Sequence, residues 1–368
     1  MPNDYHDRTR IDRTHRLRAL IRELPDVCAD YFVAIEQLTS PLTRLSYAYD
    51  LKLFFQYLSD ELPRFGGKQI AEFTIDDIRS VTKHDLERYA QYLTLYIKNS
   101  LNEDGVATEK EITNNEYGIK RKYASLRAFY KYLFSDGRID SNVAALIPLP
   151  KLHERAIIRL DIDEVARILD LAESGTALPK TYQKYHHITQ KRDLAILSLF
   201  LGTGIRISEC VGLNIDDFDF EQNAFVVTRK GGKDVILYLS DEVADTLKNY
   251  LEERRKIETL PGHEDAFFLS IQRRRITQRA VENMVKKYAS IAAPLKKKIS
   301  PHKLRSTFGT NLYRETGDIY LVADVLGHSD VNTTRKHYAA ISEDHRRLAA
   351  QKTVLREDPL ALPLSEDK

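Results

Sequence analysis

The sequence predicts a mainly α-helical protein with a small antiparallel β-sheet, arranged as a helical N-terminal domain and a mixed α/β second domain. Three observations carry this. Apolar residues recur at helical spacing over much of the chain, as in LTRLSYAYDLKLFFQYL behind the helix start Ser40-Pro41. Two β-branched runs flank Lys230-Gly231-Gly232-Lys233, and a Gly-Gly pair between such runs marks a hairpin. A break containing Pro148 and Pro150 divides the 368 residues into lengths of roughly 150 and 200, each long enough for its own core.

The first domain is expected to occupy residues 1–147. After the helix at Pro41, Thr82 or His84 begins a second, DLERYAQYLTLYI, and a third runs from Glu109 to Phe134. The third carries Lys120, Arg121, Lys122, Arg127 and Lys131 on its polar face. Tyr123, Phe129 and Tyr130 lie between them and are expected to pack in the core, since aromatics at this spacing more often fill a core than stack on bases. The basic residues opposite, with Arg44 on the first helix, are candidate DNA contacts.

Residues 148–157 are expected to be a linker, 158–345 the second domain and 346–368 a tail. In the second domain DIDEVARILDLAESG is a helix opened by an aspartate. KRDLAILSLFLGTGIRISECVGL then supplies a buried helix, a Gly202-Thr203-Gly204 turn and another helix carrying Arg206. Beyond the hairpin the chain is expected to be helical to about residue 350.

Composition narrows the function. With 42 % hydrophobic and 30 % charged residues, and no stretch near the roughly 20 apolar residues a bilayer span needs, no membrane role is expected. The start, MPNDYHDRTRIDRTHR, has no apolar signal segment, so a cytoplasmic location is expected. Only Cys28 and Cys210 occur, without zinc-type clustering, so neither a disulfide framework nor a metal is expected. Net charge is only +2, but eleven basic residues face one acid, Glu282, between Leu269 and Arg305. That segment seeks phosphate, and Arg273, Arg274, Arg275 and Arg279 are its candidate DNA contacts.

Six residues form a candidate phosphate site. Ser300-Pro301 starts a helix whose first turn carries His302 and Arg305 three apart, at an end where backbone N–H groups and the dipole favour an anion. Arg206 sits between Ile205 and Ile207, and an arginine so placed needs an anionic partner. Glu209 supplies it, as a plain ion pair or as a brace that aims the guanidinium at substrate. Lys230 stands at the hairpin end, and His328 follows Gly327 at a tight junction between helices. Tyr338 adds a hydroxyl ten residues later.

Together GTGIRISE, the hairpin lysine, SPHKLRSTFGTNLY, LGHSD and a later tyrosine resemble the tyrosine recombinase (phage integrase) family over residues 155 to 345. FTIDDIRSVTKHDLERYAQYL and KRDLAILSLFLGTGIRISE are similar to Xer recombinases, especially the single-recombinase type of streptococci. The resemblance implies a helical core-binding domain, a catalytic domain and no cofactor. It implies DNA cutting and rejoining by a tetramer on double-stranded DNA with inverted half-sites, the tail passing to a neighbouring protomer.

Tyr338 would form a 3′-phosphotyrosyl link, Arg206 and Arg305 would hold the phosphate, and Lys230 would protonate the leaving 5′ oxygen. His302 would assist proton transfer and His328 would bond the phosphate. The family's tyrosine commonly stands nine residues after the second histidine; here that position is His337, a poor substitute, and Tyr338 is tenth. Tyr313 and Tyr320 are expected to pack. The resemblance leaves chromosome dimer resolution and mobile-element integration or excision both open. The first 26 residues are too short for an arm-binding domain, which favours the simple Xer-like architecture. A type IB topoisomerase or a regulator of the same fold without catalysis are the alternatives.

Overall fold

The structure is a computed structural model describing residues 5–101, 107–153, 158–229, 232–296, 298–328 and 330–331. Lys230, Tyr338 and the tail lie outside the described residues. The chain forms two compact units, Met1–Arg155 and Ala156–Lys368.

In the first unit α1 (Tyr5–Ile21) packs on α3 (Pro41–Glu61), with α2 (Asp26–Ala34) against α6 (Glu116–Ser135) and α4 (Ile75–Ser80) leading to α5 (Lys83–Thr94). The starts follow local chemistry. Ser40 accepts the Thr43 N–H at 3.2 Å with Pro41 in the first turn. Thr82 and Asp85 close a capping box, Thr82 accepting at 3.2 Å and Asp85 at 2.7 Å, which places the α5 start at Thr82.

The third helix departs from expectation. It starts at Glu116, behind the N-cap Asn115, and the preceding segment is an antiparallel hairpin of β1 (Leu95–Leu101) and β2 (Ala107–Thr113) in register Leu95↔Thr113 through Leu101↔Ala107. Leu95, Tyr96 and Ile97 continue the apolar rhythm of α5, but both β-branched and aromatic residues favour the pleated form, where Tyr96 stacks on Tyr92 at 5.4 Å between centroids. Tyr123, Phe129 and Tyr130 are in the core, beside Tyr31, Phe54, Phe55 and Tyr89.

The second unit is built on α8 (Lys180–Thr203), whose Ile196, Leu197, Leu199 and Phe200 are fully buried. α7 (Ile162–Ser174), α10 (Asp241–Arg254) and α12 (Pro301–Thr316) pack on it. α7 is opened by Asp161 and Glu164 and closed by Gly175 at φ 67°. The sheet runs β3-β4-β5, antiparallel, with β3 Phe218–Asp219, β4 Ala224–Arg229 and β5 Lys233–Tyr238. Short α9 (Ile207–Gly212), α11 (Gln278–Ala292) and α13 (Ile319–Leu326) complete it. Residues 256–276 are not helical, contrary to the expectation of helix throughout; they hold the bridges Asn214↔Ala266 and Leu269↔Arg275.

Asp193 lies inside this unit at 1 % exposure, accepting from Arg192 at 2.7 Å, Lys287 at 3.0 Å and the Tyr288 hydroxyl at 2.9 Å. Burial alone would raise its pKa, but Arg192 and Lys287 outweigh that and hold it below its ordinary value. A depressed folded-state value means that its stabilisation is present at neutral pH and lost only as pH falls through that value. Asp193→Asn should therefore destabilise the unit by ~3–5 kcal/mol at pH 7, the cost of leaving buried cations unpaired, as read by calorimetric melting.

Candidate active site

Arg206 sits at the N-cap of α9, just outside the helix expected to carry it. α8 ends at Gly204 in the left-handed conformation, φ 63°, and a Cβ there would stand 2.5 Å from Phe308 and 2.8 Å from Leu326. Glycine therefore lets the end of α8 come against α12 and α13. Buried Glu209 braces Arg206 in two ways, accepting its backbone N–H at 2.9 Å and its Nη1 at 2.7 Å. Arg206 Nη2 donates to Gly327 O at 2.6 Å. The guanidinium remains about one third exposed, so an anion can approach it.

Arg305 is buried on α12, where Ser300 holds the N-cap position and Pro301 the first turn. It spans two helix ends, donating Nη1 to Gly204 O and Nη2 to Leu326 O. Arg206 and Arg305 are thus brought to adjacent carbonyls at the C-terminus of α13. His302 is exposed, one turn before Arg305. Gly327 ends α13 at φ 61°, and the backbone N–H of His328 donates to Ala323 O at 2.9 Å. His328 therefore follows directly on the carbonyl that Arg206 grips.

Sequence reasoning missed a third guanidinium. Arg229, at the end of β4, donates Nη1 to Asp324 O at 3.1 Å and Nη2 to Val325 O at 2.7 Å. The available signal was register: Phe225, Val227 and Arg229 share the inward face of β4. With His328 N–H and Gly327 N–H on Ala323 and Asp324, all four terminal carbonyls of α13 are satisfied.

Several expected DNA contacts have partners within the protein. Arg44 is 8 % exposed and paired with Glu36 at 2.6 Å. Arg127 donates to Ala144 O at 3.1 Å and to Ile147 O, tying α6 to the following segment. Arg275 donates to the carbonyls of Val211, Gly212 and Leu213 and to Asn214 Oδ1. Arg127 and Arg275 are thus engaged by carbonyls of their own unit, and Arg44 by the exposed carboxylate of Glu36. Arg121 forks onto Asp50 at 2.5 and 2.6 Å while half exposed, and Lys122 donates to Asn114 at 3.0 Å. Lys120 is partly exposed, while Arg273, Arg274 and Arg279 are exposed, Arg279 within 3.3 Å of Glu282.

Tyr313 packs with Val322 and Leu326, whereas Tyr320 is 72 % exposed, against the expectation that it packs. It lies on the side of α13 away from buried Val322, Ala323 and Leu326. Cys28 and Cys210 are buried, and burial raises both thiol pKa values. Among the described residues there is no cluster of metal-ligating side chains and no helix long and apolar enough to cross a membrane.

Residues 159–345 match the phage integrase family model. The chain is 33 % identical over 340 residues to the tyrosine recombinase XerC of Caldanaerobacter subterraneus, covering 89 % of this chain and 86 % of the relative. It is 29 % identical over 354 residues to XerS of Streptococcus uberis, covering 89 % and 95 %. A solved XerH recombinase bound to palindromic difH substrate in a post-cleavage complex is similar in fold, with TM-score 0.61 and 18 % identity over 84 % of this chain and 80 % of that one.

Proposed function

The chain belongs to the phage integrase family and is a Xer-like tyrosine recombinase, an enzyme of site-specific DNA recombination; on that premise we propose that Tyr338 attacks a DNA phosphate held by Arg206 and Arg305. The observation that carries this reading is the pair of guanidiniums braced against the end of α13. Two planar forks suit the charge of a pentavalent phosphorus.

Tyr338 Oη bonds to phosphorus as the bond to the 5′ oxygen breaks. Lys230 gives that oxygen a proton, and the phenol proton passes to His302. Help is needed because a free tyrosine titrates near 10. His328 bonds a nonbridging oxygen. The phosphotyrosyl ester retains the bond energy, so a second 5′ hydroxyl reverses the step with no cofactor.

The reading extends to assembly. The N-terminal unit grips DNA as a core-binding domain, four copies act on inverted half-sites, and residues 346–368 pass to a neighbour through Leu360, Leu362 and Leu364. XerH on a palindromic substrate supports paired half-sites. Topoisomerase and regulator readings gain nothing from the XerC and XerS relatives, both named as tyrosine recombinases.

The test is a substrate nicked beside the cleavage point, which traps the cut strand. After nuclease and trypsin digestion, mass spectrometry should find a nucleotide on the peptide holding Tyr338, with equal yield in chelator; attachment elsewhere sinks the assignment. Truncation after Glu343 should leave DNA binding intact and weaken synapsis, and unchanged tetramer assembly on DNA would refute the role of the tail.

A further inference from the structure

Arg229 has no part in that reaction scheme, yet it occupies the same helix end. Its guanidinium lies over Gly327, where an added Cβ would stand 2.2 Å from Nη1. Capping that helix end is a structural role, but an arginine fills it at a cost. Two neutral carbonyls are a weak counter-charge, and its Nε is buried without a hydrogen-bond partner among the described residues. Burial lowers its pKa, with Glu209 opposing and Arg206 adding to the shift. An apolar side chain at this inward register, like Val227 before it, would avoid those costs, though it would leave Val325 O without this donor.

We propose that Arg229 is a positioning residue for strand cleavage, tying the end of β4 to the end of α13 and so fixing where His328 stands against Arg206 and Arg305. The inference rests on reading Arg206, Arg305 and His328 as phosphate ligands. Three forks grip four consecutive carbonyls: Arg229 those of Asp324 and Val325, Arg305 that of Leu326 and Arg206 that of Gly327. Without Arg229, two of the four lose their side-chain donor and the helix end loses its tie to the sheet. Lysine cannot replace it, because an ammonium is a point donor and does not span two carbonyls in a fixed plane.

Full-length protein is assayed by single-turnover cleavage of the nicked substrate at saturating protein, with DNA affinity and melting temperature measured separately. Arg229→Met should lower the saturating rate on the order of 10- to 100-fold, as misplacement of a catalytic group does, with DNA affinity within about twofold of wild type. Arg229→Lys should recover little of the rate. Arg254→Met is the comparison, since Arg254 clamps Ala266 O at 2.9 Å and Glu264 O at 2.7 Å in the same manner. It should lower the melting temperature and spare the saturating rate.

In a His328→Ala background, Arg229→Met should cost no more than about twofold further, because the group it positions is gone. A wild-type rate in Arg229→Met overturns the proposal. So does an equal loss with and without His328, or a matching rate loss in Arg254→Met. If wild type itself forms no adduct, the proposed reaction fails first and takes this inference with it.

Discussion

Tyr338→Phe should abolish the covalent protein–DNA adduct on a nicked substrate, a loss on the order of 10⁴-fold or more, while DNA affinity should stay within about twofold of wild type. Phenylalanine keeps the ring and removes only the oxygen proposed to bond to phosphorus. Tyr320→Phe is the informative control: it is the one tyrosine of α13 and is 72 % exposed, so its hydroxyl is the natural rival. An adduct that survives Tyr338→Phe and disappears in Tyr320→Phe would move the nucleophile. Tyr313, packed against Val322 and Leu326, is a poorer rival because reaching DNA would open that cluster.

Arg305→Lys should give the second large effect, a fall on the order of 10²–10³-fold in cleavage at saturating DNA, the usual consequence of losing a donor aimed at developing charge. Charge is conserved in this variant, so the loss isolates geometry. A planar fork reaches both Gly204 O and Leu326 O from a 5 % exposed position, and a single ammonium cannot. Stability should fall by ~1–3 kcal/mol as one buried carbonyl loses its partner. Restored stability by added osmolyte without restored cleavage would separate the two effects; cleavage that recovers with stability would reduce Arg305 to a structural strut.

The mainly helical fold with a small antiparallel sheet was legible because its signals are local. Ser40-Pro41, Thr82 with Asp85, and Asp161 with Glu164 each satisfy backbone N–H groups within one turn, and no distant residue can change that. The hairpin at Leu95–Thr113 was not legible, since Leu95 and Ile97 prolong the rhythm of α5 and only cross-strand pairing shows where the helix stops. The same limit governs the site. That Arg206 needs Glu209 follows from sequence neighbours three apart, but its hold on Gly327 joins residues far apart in the chain. Arg44, Arg127 and Arg275 show their charge in the sequence, whereas the partners they hold, Glu36, Ala144 O and the carbonyls of residues 211 to 213, come from the fold. Arg229 was overlooked for the opposite reason, an inward register overshadowed by the lysine beside it.

The carbonyl cradle at the end of α13 changes what a phosphate must supply on arrival. Each arginine side chain carries roughly 2 kcal/mol of rotamer freedom, which a solvent-exposed arginine gives up only when it meets its ligand. Arg206 and Arg305 have already surrendered it during folding, in exchange for hydrogen bonds to Gly327, Leu326 and Gly204. On the proposed role of these two arginines, the binding energy of an incoming phosphate is therefore not consumed in ordering the groups that receive it, and more of it remains to favour the bond-breaking geometry over the resting one.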